Sequence, residues 1–138
     1  MLLEDVLSRS SLVVILKLHT VCTNNMLNTI SQVCRNLISI DISFSKHVTD
    51  DGIEKICDHE KSFLPSKLRQ ILLDGTSVTS KSVHCLLENF PQLINIDSSL
   101  MEKFLLSMQS LFQNSNQRGM YVLKIVCLQF GLQHFDLL

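Results

Sequence analysis

The sequence predicts an α/β fold, an open solenoid with parallel strands on its concave face and helices on its convex face. Three observations predict it. A short apolar segment recurs, as Leu37-x-x-Ile40-x-Ile42 and again as Leu68-x-x-Ile71-x-Leu73. Each copy is followed by a matching cassette, Val48-Thr49-Asp50-Asp51-Gly52-Ile53-x-x-Ile56 and Val78-Thr79-Ser80-Lys81-Ser82-Val83-x-x-Leu86. The apolar positions change from alternation in the first segment to helical spacing in the second, which is the signature of a strand followed by a helix. One such unit cannot bury its apolar side alone, whereas stacked units share a continuous core.

Residues 1–12 read as an N-terminal helix or partial cap, with Leu3, Val6 and Leu7 at helical spacing. Residues 13–36 form the first unit, in which Val13-x-x-Leu16-x-Leu18 precedes Cys22-Thr23-Asn24-Asn25-Met26-Leu27-x-x-Ile30. Residues 37–67 form the second and 68–92 the third. In each helix Thr23, Thr49 and Thr79 stand where an N-cap is wanted, because a hydroxyl there accepts a hydrogen bond from an orphan helix N–H. The second unit carries an extra charged run, Asp58 to Lys67, expected to lengthen its helix before a turn at Pro65. Asp74-Gly75-Thr76 marks a turn after the third strand. Residues 93–122 open a fourth unit at Leu93-x-x-Ile96, with a helix expected over 100–112 and a polar break at 113–119. Residues 123–138 offer a terminal strand and tail. The unit starts at 13, 37, 68, 93 and 123 are separated by 24, 31, 25 and 30 residues, near the spacing of one strand plus one helix.

These motifs resemble the leucine-rich repeat, specifically the cysteine-containing subtype of F-box substrate receptors and their relatives. The resemblance covers residues 13 to 98. Cys34-Arg35-Asn36-Leu37 carries the subtype's cysteine three residues before the next strand, while Phe90 holds that place before Leu93 and no cysteine lies near Leu68. The usual asparagine or cysteine after the strand is replaced by Val21, Ser45, Thr76 and Met101. The resemblance implies an open leucine-rich-repeat solenoid and, as a sharper expectation, the substrate-recognition segment of a ubiquitin-ligase receptor. No F-box-like segment precedes the units, so the chain is expected to be a fragment or short form that meets a ligase adaptor only through a missing upstream segment. The alternatives are a non-ligase assembly or structural factor, and a truncated form without independent activity.

Composition narrows the function. The chain has 138 residues, 46% of them hydrophobic, and a formal net charge of −1. That suits one globular domain, and the absence of a basic cluster argues against nucleic acid. The longest apolar run, Leu12 to Leu16, is too short for a membrane span. Five scattered cysteines with no Cys-x-x-Cys pair fit reduced, buried thiols in a cytoplasmic or nuclear protein. Four ligands at zinc-type spacing are missing, and the four glycines form no phosphate loop, so no metal, cofactor or small-molecule substrate is expected.

In stacked parallel strands, equivalent outward residues form columns. The first reads Ile15, Ser39, Gln70, Asn95; the second Lys17, Asp41, Leu72, Asp97; the third His19, Ser43, Asp74, Ser99. This concave face is expected to bind a protein partner, with Asp41, Asp74 and Asp97 favouring a basic segment. The third column also contains the residue types of a Ser-His-Asp triad. A working triad places histidine between the other two, whereas here serine is central and histidine lies roughly 9 to 10 Å from aspartate by strand spacing. No catalysis is expected.

Overall fold

A computed structural model of the chain describes residues 2–64, 67–93 and 95–96. The expectations for Pro65, Asp97, Ser99, the helix over 100–112, the break at 113–119 and the terminal segment 123–138 fall outside these residues.

Short strands alternate with helices along the chain. They are α1 (Leu2–Leu7), β1 (Ile15–Lys17), α2 (Asn24–Val33), β2 (Ser39–Asp41), α3 (Asp50–Ile56), β3 (Gln70–Leu72), α4 (Ser80–Asn89) and β4 (Asn95–Ile96). The four strands form one open, all-parallel sheet in the order β1-β2-β3-β4. Segments 37–42 and 68–73 therefore lie side by side and run in the same direction, with Ser39 opposite Gln70 and Ile40 opposite Ile71. Consecutive helices pack against one another.

Alternation along the strands decides which side chains enter the core. Leu37, Ile40, Ile42, Leu68, Ile71 and Leu73 are buried, as are Leu27, Ile30, Ile53, Ile56, Val83 and Leu86 from the helices. All belong to one apolar cluster. Each such side chain contributes about 1.5–3 kcal/mol on burial, which explains why strands of only two or three residues hold their register. At the N-terminus, Leu7 enters the same cluster and Leu3 packs on it, whereas Val6 faces outward.

The strand ladder continues past the regular strands. Leu18 and Thr20 donate their N–H groups to Asp41 and Ser43 carbonyls at 2.7 and 3.0 Å, and Ile42 and Phe44 do the same to Leu72 and Asp74 at 3.1 and 2.6 Å. The chain then turns through Thr20, Phe44 and Gly75, whose φ angles are 67°, 63° and 70°. Only Gly75 adopts this left-handed conformation without a Cβ penalty, and a Cβ there would also lie 2.5 Å from the Phe44 ring.

Two local expectations are corrected. Thr23 accepts from Met26 N–H at 3.2 Å and Thr79 from Lys81 N–H at 3.3 Å, but Thr49 makes no side-chain cap bond. Its hydroxyl oxygen instead accepts from the Asn24 amide at 2.9 Å. The run after Ile56 does not lengthen α3. The Asp58 carboxylate accepts from Glu60 N–H at 3.0 Å, its carbonyl accepts from Ser62 N–H at 2.8 Å, and Phe63 N–H is drawn to the Ser31 carbonyl at 2.8 Å. An aspartate that captures the backbone two residues on offers the chain a turn in place of another helical turn.

Candidate functional site

Backbone hydrogen bonds hold the polar face of the sheet in place. Ile15, Ser39, Gln70 and Asn95 pair successively in register, and so do Lys17, Asp41 and Leu72. The ladder bonds beyond the strands carry the third column, His19, Ser43 and Asp74, in the same order. Asp97 and Ser99, the last members of the second and third columns, lie outside the described residues.

Within the first column Ile15 is 63% exposed, and the Ser39 hydroxyl donates to Gln70 Oε1 at 3.4 Å. Asn95 is exposed at the far end. In the second column Lys17 is exposed and Leu72 half-buried, but Asp41 is only 9% exposed. His19 Nε2 hydrogen-bonds Asp41 Oδ2, and Ser43 N–H donates to Asp41 Oδ1 at 3.1 Å. Burial alone would raise the Asp41 pKa. Hydrogen bonds from His19 and from the Ser43 hydroxyl and N–H outweigh it and hold the carboxyl below its ordinary value. Asp41 is thus an internal anchor for His19 and Ser43. Among the described residues of this face, Asp74 is an exposed acid.

The same geometry bears on catalysis. Asp41 stands between His19 and Ser43, so the carboxylate touches both the imidazole and the hydroxyl. A triad needs the base in the middle, able to take the serine proton. The arrangement orients two side chains on a sheet face, with the carboxylate rather than the imidazole in the middle.

Two residues that the columns did not single out shape this region. Phe44 follows the third column directly and is 57% exposed against Gly75, adding an aromatic surface beside Asp74. Ser45 is fully buried, donating to the Leu18 carbonyl and accepting from Cys22 N–H, both at 3.1 Å. Its position after the strand, where asparagine or cysteine was expected, was the available signal, and it did not disclose these bonds.

Several of the described thiols and imidazoles are buried or hydrogen-bonded elsewhere. Burial pushes the Cys22 pKa up to about 12, against a smaller opposing effect from the Thr23 backbone. Burial also raises Cys57, helped by the neighbouring Cys85 thiol. His59 contacts Asn89 Oδ1 at 3.2 Å and His84 contacts Glu88 at 3.1 Å. Among the described residues, no three His, Cys, Asp or Glu side chains are grouped to hold a metal ion, and no helix is long and apolar enough to cross a membrane.

No protein-family model matches the chain, and no curated protein matches its sequence.

Proposed function

We propose that this chain is a protein-interaction scaffold of the leucine-rich-repeat type, an open solenoid whose concave face is the polar side of its parallel sheet. The observation that carries the reading is the register. Side chains from equivalent sequence positions stand side by side on one face, fixed by backbone bonds rather than by flexible loops. A surface already rigid in the free protein loses little conformational freedom on binding. Lys17, His19, Gln70, Asp74 and Asn95 supply donors and acceptors, while Ile15, Leu72 and Phe44 supply apolar contact. Asp74 and Phe44 together favour a partner segment that brings a cation to the carboxylate and aromatic surface.

By sequence resemblance, the sharper form is client recognition for a ubiquitin ligase, and the alternative is a non-ligase assembly factor using the same face. Proximity labelling with and without proteasome inhibition separates the two. Ligase subunits together with clients that accumulate under inhibition support the receptor, whereas one partner at constant stoichiometry supports assembly. Changing Gln70→Lys and Asp74→Lys together should abolish partner capture while leaving the far-ultraviolet circular dichroism spectrum unchanged. Undiminished capture by this folded variant means that the face is not the interface.

A further inference from the structure

A second surface lies where the strands begin and is cationic. Val14, Ile38 and Arg69 immediately precede β1, β2 and β3, and with Asn36, Lys67 and Gln92 they line an open groove of about 440 Å³. An adjoining hollow of about 550 Å³ shares Asn36 and Lys67 and adds Leu12 and Arg35. The described lining residues include three cations, Arg35, Lys67 and Arg69, and no carboxylate.

Among the described residues, none of these cations forms an ion pair. Lys67 Nζ donates to the neutral Asn36 Oδ1 at 3.1 Å, and the Arg35 guanidinium lies 4.6 Å from the Phe63 ring centroid. Leu12, Val14 and Ile38 are exposed beside them, at 81%, 44% and 39%. Aliphatic surface next to unpaired cations calls for an occupant with both aliphatic and anionic groups.

We propose that this groove docks an extended acidic peptide segment of a partner protein, with an aliphatic side chain against Val14 and Ile38 and carboxylates on Lys67 and Arg69. The groove floor is fixed by ladder bonds, since Ile38 N–H donates to Val14 at 2.8 Å, Arg69 N–H to Ile38 at 2.7 Å and Asn95 N–H to Arg69 at 3.1 Å. Three strand steps at about 4.8 Å span about 14 Å, the length of about four extended residues. The described lining residues include no aromatic side chain, the Phe63 ring beside them already stacks with the Arg35 guanidinium, and the aliphatic strip gains nothing from a bare phosphate chain, so a peptide fits better than a nucleic acid. This surface is separate from the polar sheet face, and either can fail without the other.

The test uses the full chain and a fluorescein-labelled, C-terminally amidated hexapeptide of alternating glutamate and leucine, followed by fluorescence anisotropy. Saturable binding is expected, weakened by about tenfold or more in Lys67→Glu plus Arg69→Glu and severalfold in Ile38→Ser. It should also weaken as sodium chloride rises from about 50 to about 300 mM. Asp74→Lys, on the other surface, should leave it unchanged. The proposal is overturned by absent saturation, by equal binding of a lysine-leucine hexapeptide, by tighter binding of single-stranded oligothymidylate, or by charge-reversed protein that still folds and binds as before.

Discussion

Ser45 shows how one side chain ties two chain segments together. Its hydroxyl is fully buried and satisfies both the Leu18 carbonyl and the Cys22 N–H, groups at the end of one strand and just before the following helix. Replacing it by alanine leaves two backbone groups stranded away from water, and a buried unsatisfied group costs about 1–3 kcal/mol. Ser45→Ala should therefore lower stability by about 1–3 kcal/mol in urea denaturation, with little change in the slope of the transition. A loss under about 0.5 kcal/mol would show that water reaches the site. The residue type alone did not disclose this role. Its position in the recurring pattern did not disclose it either, because the equivalent residues behave differently: Val21 has no polar side chain, and Thr76, one unit later, donates to its own Leu73 carbonyl at 2.6 Å. Asp41 gives a related lesson. Alternation placed it correctly on the polar side, but its withdrawal from solvent depends on His19 and Ser43 closing over it. That is a contact across strands that no linear pattern contains.

Among elements, the helix starts are laced to one another by a side chain that differs between successive helices. Asn24, first in α2, accepts from Thr49 N–H at 3.1 Å and donates to the Thr49 hydroxyl at 2.9 Å. Asp50, first in α3, accepts from both Thr79 N–H at 2.9 Å and the Thr79 hydroxyl at 2.7 Å. The distinction decides the caps. An amide aims an N–H at the threonine oxygen, while a carboxylate takes the threonine proton and leaves that oxygen free for the helix, so Thr79 caps α4 and Thr49 does not cap α3. Thr49 and Thr79 look alike in sequence, and the difference is set 25 and 29 residues away. Burial tends to raise the Asp50 pKa, but hydrogen bonds from Ser82 and Thr79 and the charge of Lys81 outweigh it, so its folded value lies below the ordinary carboxylate value. A depressed folded pKa contributes stability that is present above the unfolded value and lost as pH falls through the folded one. Asp50→Asn should thus destabilise by about 1–2 kcal/mol at neutral pH, chiefly through the lost cap and the lost negative charge at the start of α3. It should also flatten the decline in stability below about pH 4. Urea midpoints between neutral pH and acid check both, and equal acid slopes in wild type and variant would rule out this carboxylate as a contributor.

At the scale of the whole molecule, the open parallel sheet and its helices follow from the recurrence of two periodicities in fixed order. The apolar letters that carried that expectation are the ones that meet in the core: Ile40 beside Ile71, Ile71 beside Ile96. Where the chain departs from its own pattern, in the run after Ile56, a local aspartate turn overrode the expected helix. The core has a consequence for cooperativity. Among the described residues, buried side chains from Leu7 to Ile96 form one cluster and each helix rests on the next, so no described segment owns a separate core. If neighbours hold one another up, damage at one end is felt at the other. Leu27→Ala in α2 removes a fully buried side chain and should cost about 2–5 kcal/mol. The Arg69 amide, bonded to the Ile38 carbonyl at 2.7 Å, lies at the start of β3, well removed from α2 in the chain. Under native-state hydrogen exchange its protection should fall by the same free energy as that of the Leu18 amide, whose strand runs directly into α2. Protection that falls at Leu18 and stays unchanged at Arg69 would mean that the segments unfold independently, and the shared core would then not be what makes this chain a single folding unit.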